Sequence, residues 1–326
     1  MLRATLTALS FLILPLTAHA QSCGTRDLIA EIDATDRARL DALVAVHPYP
    51  EGTLFRATKG ASTVTVVGTI HLPDPRLDPI VEQLRDDVTS ADLLVIEASA
   101  EDEARVQALA ATNPDMFFLT DGPTLIDILS DEEWARVTDR LADIGIPGFL
   151  AAKFQPWYLS MTLAIPPCAL GAVQSGEKGL DRRLENIAMG AGVSVATLDD
   201  TEAVLRLFAD EPIEDQLVGL RVTLETQGEG NASTSTLIEA YFDGRTREAW
   251  EFARIQIDEA GIEDGEAMFE EVNQALLVDR NAAWEPKIAD YVADKNVVIA
   301  VGAAHLSGES GVLRALERAG YSVSAY

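Results

Sequence analysis

The chain of 326 residues contains little cysteine, little histidine and few basic side chains. Two Cys are too few for a disulfide-rich scaffold or for an all-thiolate metal site. The 25 Lys and Arg face 53 Asp and Glu, and the net charge of −28 argues against nucleic acid and anionic membranes, since both require a basic surface. The 48% of hydrophobic residues is enough for a packed core, so we expect an acidic globular protein.

Several sequence fingerprints are also missing. The chain has no G-x-S-x-G elbow, P-loop, H-E-x-x-H or G-x-G-x-x-G motif. Serine-hydrolase, nucleotide-binding and dehydrogenase functions therefore lack support. After residue 20, no apolar run reaches the roughly 18 residues of a membrane span, so we expect no integral membrane segment.

The first twenty residues, MLRATLTALSFLILPLTAHA, have the pattern of a secretory signal peptide. Arg3 precedes an apolar run at 6–16, and A-H-A at 18–20 forms an A-x-A cleavage site. The pattern predicts a periplasmic or secreted protein that begins near residue 21. A lipid anchor on Cys23 is the alternative, although residues 20–22 lack the Leu of a lipoprotein box.

Export would place Cys23 and Cys168 in an oxidising compartment, where a disulfide between them is expected. Such a bridge would attach the mature N-terminus to the middle of the chain. Two unpaired thiols are the alternative.

Two segments of the chain resemble each other. T-V-T-V-V-G-T-I-H-L at 63–72 and N-V-V-I-A-V-G-A-A-H-L at 296–306 are β-branched strands that end in G-x-x-H-L. A loop, a helix and a further strand follow each of them, at 93–96 and at 321–325. A strand–helix–strand crossover implies parallel strands.

The fold class is therefore α/β, with a central, mainly parallel sheet built from two pseudo-symmetric βαβ halves. A helical region at about 101–292 packs around the sheet, within a single domain at 21–326. The remaining patterns predict helices at 28–46, 79–89, 181–189, 234–242, 245–260 and 266–292, strands at 53–56, 62–67 and 193–198, and a flexible loop at 227–231.

Two histidines, His71 and His305, follow the equivalent strands of the two units. Ligands bind at the carboxyl ends of parallel strands, where Glu97 also lies because it follows the strand at 93–96. A lone histidine in this place is most often structural, but a symmetric pair in a chain with so few histidines favours a site. The alternative for Glu97 is a cap on the helix that follows it.

Two imidazoles and a carboxylate are suitable ligands for a divalent transition metal such as Zn²⁺, Mn²⁺ or Fe²⁺. A bound ion would lower the pKa of a water molecule and polarise a carbonyl group. Without a metal, the residues His71, Glu97 and His305 could supply a general base oriented by a carboxylate.

Other polar residues are weaker candidates. Asp74 and Arg76 could contact substrate or only shape a turn. Arg280 and Asn281 lie inside a predicted helix where Asn is unfavourable, so the pair is expected to face the crevice, with a solvated helix face as the alternative. Asp181 is expected to cap a helix.

These residues resemble the TraB/GumN family, which includes the Tiki proteins, over nearly the whole chain from residue 23. The resemblance rests on VGTIHL at 67–72, LLVIEAS at 93–99 and VGAAHLSGESGVLRALERAGYSV at 301–323. QPW at 155–157, KGLDRRL at 178–184 and DRN at 279–281 add to it. Where the family usually has Glu after the central strand, this chain has Asp199 and Asp200.

The resemblance implies a fold similar to erythromycin-esterase-like and haem-binding ChaN-like proteins. In Tiki members the two histidines and the glutamate serve metal-dependent peptide cleavage, which nominates His71, Glu97 and His305, with Arg280 and Asn281 lining the same site. Other relatives are regulators that sequester a peptide.

The leading hypothesis is an exported metal-dependent hydrolase that acts on a peptide or similar amide bond. Arg280 would stabilise developing negative charge, and Asp74, Arg76 and Asn281 would contact substrate. The alternative is a non-catalytic periplasmic binding protein that captures a peptide, haem or metal in the same crevice. No feature of the sequence indicates an oligomeric state.

Overall fold

A computed structural model describes residues 23–226 and 230–326. The predicted signal peptide at 1–20 and residues 227–229 of the predicted loop lie outside the described residues.

A six-stranded sheet lies at the centre of the described structure, in the order β4-β3-β5-β2-β1-β6. Its strands are β1 (Leu54–Lys59), β2 (Ser62–Thr69), β3 (Leu93–Ile96), β4 (Ser194–Thr197), β5 (Val297–Gly302) and β6 (Ser322–Ala325). Strands β2, β5, β3 and β4 run parallel, whereas β1 is antiparallel to its neighbours β2 and β6. The sheet is mainly parallel, as predicted.

Sixteen α-helices occur among the described residues. The first half of the chain contains α1 (Ala34–Ala45), α2 (Leu77–Ser90), α3 (Ala100–Thr112), α4 (Leu125–Ile128), α5 (Asp131–Asp143), α6 (Gly148–Ala151), α7 (Pro156–Leu163) and α8 (Leu170–Gln174). The second half contains α9 (Leu180–Ala191), α10 (Thr201–Ala209), α11 (Ile213–Thr226), α12 (Gly230–Phe242), α13 (Thr246–Glu259), α14 (Gly265–Asn273), α15 (Asp279–Val292) and α16 (Val312–Arg318).

Both predicted βαβ units form, and they interlock. The first unit is β2-α2-β3 and the second is β5-α16-β6. Their first strands are parallel neighbours, with Gly68 opposite Val301 and Thr69 opposite Gly302. Their second strands lie on opposite sides of this central pair, β3 beside β5 and β6 beside β1. Both G-x-x-H segments therefore emerge at the same edge of the sheet.

Helices cover both faces of the sheet. Helices α15 and α16 pack on one face through residues such as Trp284 and Leu313, where Val66 of β2 contributes to the core. Helices α2, α9 and α12 pack on the other face, to which the next residue of β2, Val67, contributes. Successive strand residues point to opposite faces, so a strand buried on both sides is apolar almost throughout. This explains the β-branched run that the sequence shows.

The predicted helical region, about 101–292, separates β3 from β5. It has a core of its own, formed by helices α4 to α7 and α11, and a smaller aromatic group around Phe117 and Trp157. Within the described part of this region, β4 is the strand that joins the sheet, at the position predicted for 193–198. The predicted disulfide is present between Cys23 and Cys168, whose Cα atoms are 4.9 Å apart.

Two predicted helices differ from the observed ones. The helix predicted at 28–46 begins only at Ala34, because the side chain of Asp33 accepts hydrogen bonds from the N–H groups of Thr35 and Asp36 and caps it there. The helix predicted at 266–292 is interrupted by a π-helical turn at Gln274–Val278, between α14 and α15. Hydrophobic spacing does not predict such a turn, because the apolar face continues on either side of it.

None of the helices in the described part of the chain is long and apolar enough to cross a membrane.

Candidate functional site

His305 lies just beyond β5 and is 4% exposed. Its Nδ1 is 2.8 Å from Asn281 Oδ1, while the amide nitrogen of Asn281 donates to the His305 carbonyl at 3.4 Å. Since this amide nitrogen is used as a donor, its oxygen faces the ring, and Nδ1 carries the imidazole proton. Burial lowers the pKa of His305 to about 4, and the positive charge of Arg280 contributes to the lowering. At neutral pH His305 is therefore uncharged, with Nε2 as an acceptor.

Arg280 fills the space in front of that acceptor. Its Nη1 donates to His305 Nε2 at 3.1 Å and to the Leu276 carbonyl at 3.2 Å. Its Nη2 donates to Glu97 Oε2 and to Asp199 Oδ2, both at 2.6 Å, and its Nε donates to Asp199 Oδ1 at 3.4 Å. Every N–H of the guanidinium thus has an acceptor, and the side chain has a defined position.

Glu97 is the second anchor of this network. Its Oε1 accepts the backbone N–H of Gly302, and a Cβ at that glycine would lie only 3.0 Å from the same oxygen. Burial alone would raise the pKa of Glu97, but the positive charge of Arg280 and the Gly302 N–H outweigh it and hold the pKa below its ordinary value. Ser99 caps helix α3, so the alternative of Glu97 as the cap is wrong.

Asp199 belongs to the same network, although no role was predicted for it from the sequence. It follows β4 at the carboxyl edge and accepts hydrogen bonds from Arg280 and, at 2.7 Å, from the indole N–H of Trp284. Trp284 in turn packs against His305 and Arg280, with its ring centre 4.4 Å from the centre of the His305 ring and 4.9 Å from the Arg280 guanidinium carbon. The sequence feature that could have identified Asp199 is its position directly after the strand predicted at 193–198.

The π-helical turn before α15 explains how one helix supplies so many of these groups. A π turn adds a residue to a helical turn and rotates the residues that follow, and such turns are frequent at functional sites. Here Asn281 and Trp284 face the sheet, and Arg280 reaches the network from the same helix. The prediction that Arg280 and Asn281 face the crevice rather than solvent agrees with these contacts.

His71, two residues beyond the end of β2, has a different environment. Its side chain is 67% exposed, and its Nδ1 lies 3.3 Å from Asp181 Oδ1, whose side chain is 16% exposed. The separation is that of an ion pair, but the ring is not aligned for a straight hydrogen bond, and Oδ1 has no hydrogen-bond partner among the described residues. The Asp181 contact raises the pKa of His71 against the effect of desolvation, and the charge of Glu97 adds to the increase.

The start of α9 places Asp181 beside this histidine. Gly179, not Asp181, is the N-cap residue, so the prediction of Asp181 as a cap is wrong. A Cβ at Gly179 would lie 2.4 Å from the His71 carbonyl oxygen, and Leu180 N–H donates to the Ile70 carbonyl at 3.0 Å. Only glycine allows this close backbone approach.

Around this edge of the sheet, some buried polar atoms have no hydrogen-bond partner among the described residues. They include the hydroxyl of Thr69, two residues before His71, and the hydroxyl of Ser307, two residues after His305. Buried hydroxyls are normally hydrogen-bonded, so these two retain hydrogen-bonding capacity that the described protein groups do not use.

Asp74 and Arg76 lie in the loop after His71 and contact each other and α12. Arg76 pairs with Asp74 at 3.0 Å and with Glu239 at 2.9 Å, and its guanidinium lies 4.1 Å from the centre of the Phe242 ring. These contacts attach the loop to α12, and a role for either residue in substrate binding stays a prediction.

The predicted metal ligands are not arranged as a metal site. In residues 23–226 and 230–326, no group of three or more His, Cys, Asp or Glu side chains is placed to hold an ion. Arg280 donates to Glu97 and to His305, so the electron pairs that would bind a metal are engaged by a guanidinium. His71 is directed instead to Asp181. A divalent metal with His71, Glu97 and His305 as ligands stays a prediction.

Together, the fold and the site define an α/β protein with a buried Arg–carboxylate–imidazole network and an exposed histidine at the carboxyl edge of its sheet. The sequence model of the TraB/PrgY/gumN family matches residues 53–325, and the chain belongs to this family. No curated protein matches the chain.

Proposed function

We propose that this protein is an exported hydrolase that cleaves a peptide or similar amide bond at the carboxyl edge of the sheet. The observation that carries the proposal is the exposed His71 with a mostly buried carboxylate, Asp181, 3.3 Å from its Nδ1. A histidine that has a carboxylate beside one ring nitrogen can use the other nitrogen as a general base.

In this proposal, His71 accepts a proton from a water molecule as that water attacks the carbonyl carbon of the substrate. The proton then passes to the leaving nitrogen, and His71 returns to its neutral form. Asp181 stabilises the imidazolium that forms in between, as the carboxylate of other histidine-containing sites does.

Arg280 supports the reaction through its charge and its position. Because each of its N–H groups already has a protein acceptor, the residue acts through space rather than by a free hydrogen bond. Its hydrogen bonds hold the side chains of Glu97 and His305 in fixed positions near His71.

Export and substrate class rest on separate support. The N-terminal pattern at 1–20 and the Cys23–Cys168 bridge support an oxidising location outside the cytoplasm. The peptide class is supported by the resemblance to Tiki proteins. The metal-dependent form of the hypothesis requires Arg280 to withdraw from Glu97 and His305, and metal analysis tests it separately.

The test is hydrolysis of a defined mixture of unstructured peptides by the purified chain, followed by mass spectrometry. We expect cleavage by the wild type and a loss of about 10²–10⁴-fold in His71→Ala, the usual contribution of a general base. Arg85→Ala, which alters an exposed side chain of α2, is the matched control and is expected to be fully active.

Absence of cleavage by the wild type, or equal cleavage by wild type and His71→Ala, contradicts the proposal. Binding of a peptide or of haem without any turnover would favour the non-catalytic binding protein. Isothermal calorimetry with the same peptides distinguishes the two results.

A further inference from the structure

The side chain of Arg280 is surrounded as a bound cation would be. The groups around its guanidinium are two carboxylates, Glu97 and Asp199, and the unprotonated Nε2 of His305. Carboxylate oxygens and a neutral imidazole are ligands of divalent transition metals. These three acceptors lie 2.6–3.1 Å from guanidinium nitrogens, whereas metal–ligand bonds are about 2 Å long.

Each of the three acceptor groups, on His305, Glu97 and Asp199, is oriented by a second hydrogen bond. Asn281 holds the proton of the neutral His305 ring on Nδ1, so that Nε2 presents a lone pair to the site. The Gly302 N–H fixes Oε1 of Glu97 and leaves Oε2 for Arg280. The Trp284 N–H fixes Oδ1 of Asp199, which also accepts from Arg280 Nε at 3.4 Å, while Oδ2 accepts from Arg280 Nη2. Each of the three groups is thus oriented by a second contact towards the same point.

We propose that the Arg280 guanidinium is the resident cation of this site and occupies the place that a divalent metal would otherwise take. The native chain then holds no metal between Glu97, Asp199 and His305. Removal of the guanidinium leaves two carboxylates and an imidazole around an empty position, and the side chains can close in on an ion. The inference does not depend on hydrolysis, because its readout is metal binding.

The groups packed around Arg280 hold its side chain in one position. The guanidinium lies 4.9 Å from the Trp284 ring centre, and the Arg280 side chain is 15% exposed. The Leu276 carbonyl, in the π-helical turn, takes a further N–H that neither carboxylate uses. Withdrawal of the side chain would leave Glu97 and Asp199 without their counter-charge, which is costly at their depth.

The experiment compares the wild type with Arg280→Ala after removal of all metal, using Zn²⁺ and Co²⁺ alone as probes. Bound Zn²⁺ is measured by equilibrium dialysis with elemental analysis, and bound Co²⁺ by its visible absorption. We expect less than about a tenth of an equivalent in the wild type and about one equivalent in Arg280→Ala. The added ion should raise the melting temperature of Arg280→Ala and leave that of the wild type unchanged.

Three further variants assign the binding to this site. Arg280→Ala/His305→Ala and Arg280→Ala/Glu97→Gln should lose the gained equivalent, since each removes one ligand. Arg85→Ala, an exposed arginine on α2, should gain none. Arg280→Lys retains a positive charge and should also gain none, and it remains informative if Arg280→Ala fails to fold.

Two results would overturn the inference. One is a stoichiometric ion in the wild type that is lost in Glu97→Gln or His305→Ala, because the metal would then displace Arg280 in the native protein. The other is a folded Arg280→Ala that binds neither ion, because the three acceptors would then not converge on a cation position.

Discussion

His71 and His305 occupy the same place in two similar segments, yet their surroundings are opposite. His71 is 67% exposed and faces one carboxylate, whereas His305 is 4% exposed and is held by Asn281 and Arg280. The pKa of His71 is raised by Asp181, and burial lowers the pKa of His305 to about 4. A repeated motif therefore specifies where a side chain leaves the sheet, while the elements packed against it decide its charge.

The largest difference between the two histidines should appear in catalysis. His71→Ala is expected to lower kcat/KM for the cleaved peptide by about 10²–10⁴-fold and to leave the melting temperature almost unchanged, because the side chain is exposed. Steady-state kinetics and calorimetry on the same preparation measure both. A large loss of stability in this variant would show that His71 is structural.

The second difference should appear in stability. His305→Ala leaves a cavity beside Trp284 and removes the partners of Asn281 Oδ1 and Arg280 Nη1, so we expect a loss of about 3 kcal/mol in the free energy of unfolding. Urea denaturation measures it. A loss as small as that of His71→Ala would contradict the distinction between the two positions.

The close approach of α9 to β2 can be tested at Gly179. Gly179→Ala places a methyl group against the His71 carbonyl and should destabilise the protein by about 2 kcal/mol. Gly190→Ala, in the same helix, has open space around its Cβ and should instead stabilise by about 0.5–1 kcal/mol. Equal effects of the two substitutions in urea denaturation would mean that the backbone approach at Gly179 is not required.

The smallest expected effect concerns pH. A base acts in its neutral form, so the rate should rise as the pH increases through the raised pKa of His71, and Asp181→Asn should move that rise to lower pH. The free energy of unfolding depends on pH in the opposite direction. The His71–Asp181 pair stabilises the fold at pH values below the pKa of His71 in the unfolded chain, about 6.5, and this stabilisation is lost as the pH rises through the raised pKa of the folded protein. A pH–rate profile that does not move in Asp181→Asn would contradict the pairing.

Much of the fold was predictable because both faces of the sheet are buried. Apolar runs such as those of β2, β3 and β5, each followed by helical spacing, predict parallel strands and crossovers directly. The order of the strands was not predictable, because it depends on contacts between distant segments. The π-helical turn at Gln274–Val278 was also not predictable, because the apolar face of the helix continues on both sides of the turn.

Four members of the Arg280 network were predictable from the sequence, but Asp199 and the pairings were not. Glu97, Arg280, Asn281 and His305 do come together, because three strand ends and one helix face the same edge. The pairing of His71 with Asp181 depends on the approach of α9, which no local pattern indicates.

The central claim is that the two histidines differ in charge and exposure. An NMR titration of the imidazole ¹⁵N resonances, assigned with His71→Gln and His305→Gln, tests it most directly. We expect His71 to titrate above the ordinary histidine value of about 6.5, while His305 keeps its proton on Nδ1 and stays neutral down to a pH of about 4. Two histidines that titrate together near the ordinary value would contradict it.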